Sequence, residues 1–179
     1  TSGAITTAAN GTISLTSSGT QTLGAAVTAG GSGTVGLTAN GATSDILVNA
    51  NVGSTSGAIT ATAGRSIILN AGNISTSGNI SLTGTAGAIS EAGAGLLSGA
   101  LLTASSATGT TLGNANTVTS FNATNSTSGN ISLVNTAAPL TITGISQTGG
   151  GNVTVNNTGA LTTSGAITTA ANGTISLTS

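Results

Sequence analysis

The sequence of 179 residues carries almost no reactive side chains. It has no cysteine, histidine, tryptophan, tyrosine or methionine, and its only charged side chains are Asp45, Arg65 and Glu91. General acid–base catalysis needs a titrating group beside the substrate, and a Ser or Thr nucleophile needs an adjacent base. Glycoside hydrolysis needs a pair of carboxylates about 5–10 Å apart, and Asp45 and Glu91, the only acidic residues, have no His, Lys or Tyr to assist them. We therefore expect no enzymatic activity and no catalytic residues.

The same scarcity bears on cofactors and partners. A zinc site needs three or four Cys, His or carboxylate ligands, and a calcium site needs several carboxylates. One Arg cannot neutralise a row of phosphates. No apolar run approaches the length of about 18 residues that a membrane-spanning helix needs. The sequence thus predicts no metal site, no cofactor, no nucleic-acid partner, no membrane insertion and, without cysteine, no disulfide.

The residues that are abundant leave two structural interpretations. Glycine takes 29 positions, and Thr, Ser and Asn take 37, 24 and 17. Such chains are often disordered, but disorder usually combines low hydrophobicity with high net charge, and the net charge here is −1. The regular spacing of the apolar residues favours an all-β fold.

A long repeat is visible at once. Residues 1–17 read TSGAITTAANGTISLTS, and residues 163–179 are identical. The chain thus holds one full repeat, 1–162, and the start of the next, 163–179, within a single continuous solenoid. We expect a natural tandem array in a longer protein; the alternative is an engineered overlap.

A shorter repeat lies inside the long one. It reads Gly-x-Ile/Val-Ser/Thr-Leu/Val-Thr/Asn, with clear copies starting at Gly11, Gly78, Gly129, Gly151 and Gly173. Including weaker copies, seven units fill the long repeat, and such a period is typical of solenoids. Apolar and small polar residues alternate within each unit, which is the period of a strand. The sequence predicts an all-β, right-handed parallel β-helix (a β-solenoid) with about seven rungs of 21–22 residues per repeat, the hand following the general preference of parallel crossovers.

Stacking the units in register predicts the core and one irregularity. The predicted inward residues form two columns. The first holds Ile13, Val35, Ile59, Ile80, Leu101, Ile131, Val153 and Ile175, and the second holds Leu15, Leu37, Leu82, Leu133, Val155 and Leu177. One spacing, from Gly99 to Gly129, is 30 residues instead of 21–24. It predicts a lateral loop or a distorted rung at 105–126, either a tolerated insertion or a contact-bearing loop.

Several polar residues recur at about the length of one rung. Asn side chains at this spacing can hydrogen-bond along a ladder, or Asn is simply frequent in turns. The ladder candidates are Asn49, Asn70, Asn114, Asn135 and Asn156. Asp45 and Arg65 are separated by nearly one rung, so they form either an ion pair between rungs or two isolated charges. Among the Asn-x-Ser/Thr triplets, Asn122 and Asn125 in the suspected loop are the preferred candidates for glycosylation.

The run GNISLTGTAGAISEAG from Gly78, with TSGAIT, TSGNISL and the Asn-rich turns, resembles the filamentous haemagglutinin-type exoproteins. These are very large bacterial surface adhesins, commonly secreted by the two-partner route. The resemblance covers essentially the whole chain, and it implies a right-handed parallel β-helix, export across the outer membrane and a stalk or adhesive role.

The leading functional hypothesis is a structural shaft segment of a long bacterial extracellular fibre or giant surface adhesin, serving adhesion, biofilm formation or cell–cell contact. Its expected partners are neighbouring copies end to end and lateral shafts, with a host or neighbour-cell ligand unidentified. The alternative is a lattice-binding module, for ice or polysaccharide, because outward Thr-x-Thr runs can match an ordered surface. Such runs begin at Thr60, Thr117 and Thr141, and they do not recur at one position of every repeat unit.

Overall fold

A computed structural model describes residues 1–170 and 172–179. Within these residues the secondary structure is entirely β, and the strands pair in parallel into a β-solenoid of about eight turns with coils of about 22 residues. The predicted all-β parallel β-solenoid is therefore confirmed. In chain order the strands are β1 (Ile5–Thr7), β2 (Ile13–Ser17), β3 (Gln21–Leu23), β4 (Val27–Ala29), β5 (Val35–Ala39), β6 (Ile46–Val48), β7 (Val52–Ser54), β8 (Ile59–Ala63), β9 (Ile67–Leu69), β10 (Ile74–Ser75), β11 (Ile80–Gly84), β12 (Ile89–Glu91), β13 (Leu97–Ser106), β14 (Thr110–Asn125), β15 (Ile131–Asn135), β16 (Leu140–Gln147), β17 (Val153–Asn157), β18 (Leu161–Thr163), β19 (Ile167–Thr169) and β20 (Ile175–Thr178).

Each turn of the solenoid, called a rung here, contributes one strand segment to each of three faces. Face 1 contains β2, β5, β8, β11, the second half of β13, the end of β14, the end of β16 and β19. Face 2 contains β3, β6, β9, β12, the start of β14, β15, β17 and β20. Face 3 contains β1, β4, β7, β10, the start of β13 and the middle of β14. In the last rungs β18 pairs with the start of β16, which pairs with Ser120 and Phe121 of β14 and so lies where face 3 meets face 1.

The core follows from the strand alternation. In β5 the side chains of Val35, Leu37 and Ala39 are at most 1% exposed, while the residues between them face outward and are half-buried. The same pattern repeats in the strands above and below, so the inward side chains at the positions of Val35 and Leu37 form two continuous apolar columns. The third inward position, that of Ala39, becomes polar higher up, at Ser106, Asn125 and Gln147. Full burial of a Val, Leu or Ile side chain stabilises a fold by about 1.5–3 kcal/mol, and the two apolar columns supply that burial on every interior rung.

The glycine that opens the repeat unit has a steric cause. A Cβ on Gly151 would lie 1.9 Å from the carbonyl oxygen of Gly129 on the rung below, and a Cβ on Gly173 would lie 2.4 Å from that of Gly151. The corresponding distance from Gly57 to the carbonyl oxygen of Gly33 is 2.1 Å. The rungs approach so closely at this corner that a side chain has no room, which explains why the motif begins with glycine.

The segment 105–126, predicted as a loop or a distorted rung, is instead largely regular strand. It contains the end of β13 and all of β14, and Phe121 is fully buried in the core. Phe121 stands in register with Leu102 on the rung below and with Ile142 on the rung above, so each step is one ordinary turn. The long motif spacing therefore contains no insertion. Between Gly99 and Gly129 the chain completes one full turn and then runs along one more face before the next copy of the motif begins.

The repeat unit consequently changes face within the chain, which corrects the predicted core columns. Ile13, Val35, Ile59 and Ile80 stack on face 1 as predicted. The next core residue on this face is Leu102, and Leu101 is half-buried beside it. The remaining predicted members stack on face 2 instead, namely Ile131, Val153 and Ile175 in one column and Leu133, Val155 and Leu177 in the other. Leu15, Leu37 and Leu82 stay on face 1, with Ala61 between the last two.

Candidate functional site

The most regular surface feature is a column of hydroxyl side chains on face 1. The register pairs one outward position through eight consecutive rungs. The residues at this position, named the hydroxyl ladder here, are Thr16, Thr38, Thr62, Thr83, Ser105, Thr124, Ser146 and Thr168. Each of them is exposed or half-exposed, and the Thr124 hydroxyl donates to Ser105 Oγ at 3.1 Å. No such recurrence was visible in the sequence, because the motif spacing conceals the true register.

A second column of small polar residues runs beside the ladder. On the four central rungs, whose face 1 strands are β8, β11, β13 and β14, the outward side chains of this column are Thr60, Ser81, Thr103 and Asn122. Alternate residues on a strand are about 6.6–6.8 Å apart, and neighbouring rungs are about 4.8 Å apart. The centre of face 1 therefore presents a two-dimensional grid of hydroxyl and amide groups. The third outward column is interrupted by Ala58 and Leu101, so the grid is two columns wide there.

The ion pair expected from sequence spacing is present between rungs. Arg65 donates from Nε to Asp45 Oδ1 at 2.8 Å and from its other arm to Oδ2, and the Ser66 backbone N–H donates to Oδ1 at 3.0 Å. The Asp45 residue is 6% exposed, whereas the Arg65 side chain is 52% exposed. The hydrogen bond from Arg65 lowers the pKa of Asp45 below its ordinary value, against the opposing effect of burial.

Glu91 is the second carboxylate, and it has no cationic partner in the described part of the chain. It lies in register with the buried Leu69 of the rung below on face 2. Its Oε2 accepts the Asn114 backbone N–H at 2.8 Å, but its Oε1 is buried without a hydrogen bond. Burial raises the pKa of Glu91 above its ordinary value, although Asn114 and the Asn116 side chain offset part of this effect. A buried carboxylate oxygen without a hydrogen bond is expected to destabilise the fold.

The Asn candidates divide into one exposed pair and residues with separate roles. Asn70 Nδ2 donates to Asn49 Oδ1 at 2.7 Å across adjacent rungs. Asn114, Asn135 and Asn156 do not form one ladder. Asn114 Nδ2 donates to the carbonyl groups of Gly93 and Gly95, which lie in the turn after β12, and Asn156 is exposed.

The buried amide ladder is a different set, which sequence reasoning missed. Asn135 Nδ2 donates to Asn157 Oδ1 at 2.9 Å and to the Val118 carbonyl, while its Oδ1 accepts the Val118 N–H. Asn116, in register below Asn135, is equally buried. The separation of one rung between Asn135 and Asn157 was the available signal, but the neighbouring Asn156 matched the length of a rung equally well.

The two glycosylation candidates have different surroundings. Asn125 is 1% exposed, and its Nδ2 donates to Gln147 Oε1 and the Ser128 carbonyl while its Oδ1 accepts from Ser106 and Gly109. Its amide is therefore inaccessible to a glycan in the folded chain, which corrects that candidate. Asn122 is half-exposed on face 1.

Within residues 1–170 and 172–179 there is no cluster of three or more His, Cys, Asp or Glu side chains that could hold a metal ion. None of the described residues form a helix of sufficient length and apolar character to cross a membrane. Comparison with known proteins finds no matching family model, no matching curated protein and no matching solved structure.

Proposed function

We propose that the chain is a shaft segment of a long extracellular fibre or giant surface adhesin on a bacterial cell. The observation that carries the proposal is the continuous parallel stacking: strands of interior rungs pair with the rung below and the rung above on all three faces. Unpaired strand edges then occur at the two ends of the solenoid, where an adjacent copy of the repeat would cover them. Such a segment is suited to forming part of a long, stiff rod.

The surface chemistry supports the same role. Asp45 is held by Arg65, and Glu91 is half-buried with one oxygen out of reach of solvent, so the two carboxylates are not arranged as an acid–base pair, and a non-catalytic role is part of the proposal. Because like charges are absent from the outward columns, no repulsion accumulates between rungs about 4.8 Å apart. A surface with so little net charge also favours lateral contact between shafts.

The proposal is tested by imaging surface material sheared from the source cells by cryo-electron microscopy. We expect thin filaments that are labelled by an antibody against this chain and that give a meridional reflection at about 4.8 Å. Short isolated particles carrying the antibody, without filaments, would refute the shaft role. As a complement, the purified chain should associate end to end as its concentration rises, and a monodisperse monomer at high concentration would argue against it.

A second candidate function is binding to an ordered lattice such as ice or a crystalline polysaccharide. The hydroxyl ladder favours it, because one position carries Thr or Ser on eight consecutive rungs. The test measures thermal hysteresis and retention on crystalline cellulose and chitin. Thr62→Lys, in the ladder, should abolish either activity, while Thr43→Lys, at an exposed site in the turn before β6, should leave it unchanged. Equal behaviour of the two variants would exclude the ladder as the binding face.

A further inference from the structure

The two identical copies of the repeated segment, 1–17 and 163–179, lie on different faces of the solenoid. Ile5 of the first copy pairs with Val27 on face 3, whereas its counterpart Ile167 pairs with Ile145 on face 1. Ile13 lies on face 1, whereas its counterpart Ile175 pairs with Val153 on face 2. Both strands of the second copy are therefore advanced by one face in the same direction.

The register shows where this advance originates. Following the column from Leu15 upward through seven rungs leads to Ile167, and not to Leu177, which is the counterpart of Leu15 in the second copy. The long repeat of 162 residues is therefore longer than seven complete turns, and the excess is the length of one face. The extra face arises between the GNISL copies at Ile80 on face 1 and Ile131 on face 2, across the single long spacing between motif copies.

The last rung has no neighbouring rung above it, and its inward apolar side chains are uncovered. Ile13 is 5% exposed because Val35 covers it from the next rung, whereas the identical Ile175 is 46% exposed, and Leu177 is 37% exposed. They are the exposed large hydrophobic residues of the described chain. The segment that covers the first copy, Val35 and Leu37, would cover the second copy if the repeat continued.

We infer that the partner of this open end is a following copy of the same repeat, docked one face further on, so that successive copies are rotated by about a third of a turn. The inference rests on the tandem array proposed above. Three copies, each of seven turns and one face, then return the sequence to its original face. At about 4.8 Å per rung, one copy advances about 35 Å and three copies about 106 Å.

The rotation changes what the fibre presents to its surroundings. The hydroxyl ladder ends on face 1 at Thr168, and the counterpart of its first member, Thr178, already lies on face 2 beside Asn156. In an array the ladder would therefore appear as patches of eight rungs pointing in three directions in succession. Such a fibre contacts neighbours on all sides, and it has no single flat face longer than one patch.

The placement of the second copy is tested in the chain itself, which has no cysteine. Register partners across adjacent rungs have the Cα separation that a disulfide requires. Asn156→Cys with Thr178→Cys should therefore oxidise to a disulfide, as should the face 1 control pair Thr16→Cys with Thr38→Cys. Ser146→Cys with Thr178→Cys should stay reduced, because it joins two faces. A disulfide in this last pair, or none in the first, would overturn the inference.

The rotation between copies is tested in a chain with a second copy of residues 18–179 appended after Ser179. Spin labels on Thr62→Cys in both copies should lie further apart than the height of seven rungs, because a lateral offset of at least about 10 Å between faces adds to an axial separation of about 35 Å and the labels project outward in different directions. A separation of about 34 Å, the height of seven rungs, would show that copies are aligned and would refute the rotation. Because this measurement is made in solution, it stands whether or not filaments are found on cells.

Discussion

The two carboxylates have opposite effects on stability, and this leads to a sharp prediction. Glu91 has a buried oxygen without a hydrogen bond, and leaving such an atom unsatisfied costs about 1–3 kcal/mol. Gln has nearly the same shape as Glu but no charge, so Glu91→Gln removes the penalty of burying that charge. Since Glu91 is only partly buried, we expect this substitution to raise the free energy of unfolding at pH 7 by about 1 kcal/mol. Asp45→Asn, which weakens the bond to Arg65, should lower it by about 1 kcal/mol, the value typical of a partly exposed pair.

The pH dependence follows from the directions of the two pKa shifts. The folded pKa of Glu91 is raised above 4.5, so its contribution to stability is fully present below pH 4.5 and is lost as the pH rises through the raised pKa. The folded pKa of Asp45 is lowered below 3.8, so its contribution is present above pH 3.8 and is lost as the pH falls through the lowered pKa. Between these two limits, at about pH 4, the chain should be most stable.

The assay is urea unfolding followed by far-ultraviolet circular dichroism from pH 2 to 8, because the chain has no Trp or Tyr for fluorescence. Because the chain has no His, Cys or Lys, the pKa shifts of the Asp45 and Glu91 side chains govern the pH dependence in this range. Glu91→Gln should remove the loss of stability above pH 4.5 and have no effect at pH 3. A Glu91→Gln variant that is less stable than the parent at pH 7 would refute the placement of this carboxylate.

Three further substitutions test the packing by the same urea assay. Gly151→Ala should destabilise the fold by about 1–3 kcal/mol, because its Cβ would meet the Gly129 carbonyl oxygen at 1.9 Å, whereas Gly19→Ala has open space and should be neutral. Phe121→Ala should cost about 3–5 kcal/mol; a cost near zero would mean that Phe121 lies on a projecting loop after all. Asn135→Ala should cost about 2 kcal/mol or more, because the buried Val118 N–H and carbonyl lose their partner; an effect below about 0.5 kcal/mol would contradict the buried ladder.

Much of the fold is readable from the sequence because the same local pattern recurs. Alternating apolar and small polar residues after each glycine specify strands with one buried side, and the regular spacing of the motif specifies how those strands stack. The Asp45–Arg65 contact follows from the same reasoning, since a separation of nearly one rung places two side chains on adjacent rungs. Each of these inferences depends on neighbours that are one turn apart.

The face change could not be read in this way. A motif copy at Ile131 looks the same whether it lies on face 1 or face 2, because either face buries Ile and Leu against the same apolar interior. The placement of Leu102 instead of Leu101, and of Asn157 instead of Asn156, likewise depends on a shift of one residue that flips a side chain between the interior and the solvent.

The sequence by itself thus determined the strand pattern, the length of a rung and the near-absence of charge, because these are properties of single residues and of their spacing. The tertiary structure decided which copies stack on which face. It thereby buried Phe121 and Asn125, aligned the hydroxyl ladder and advanced the second copy by one face. The physical reason is that the register between adjacent rungs depends on how many residues the chain uses at the three corners of each turn. The motif describes one strand and does not specify that number.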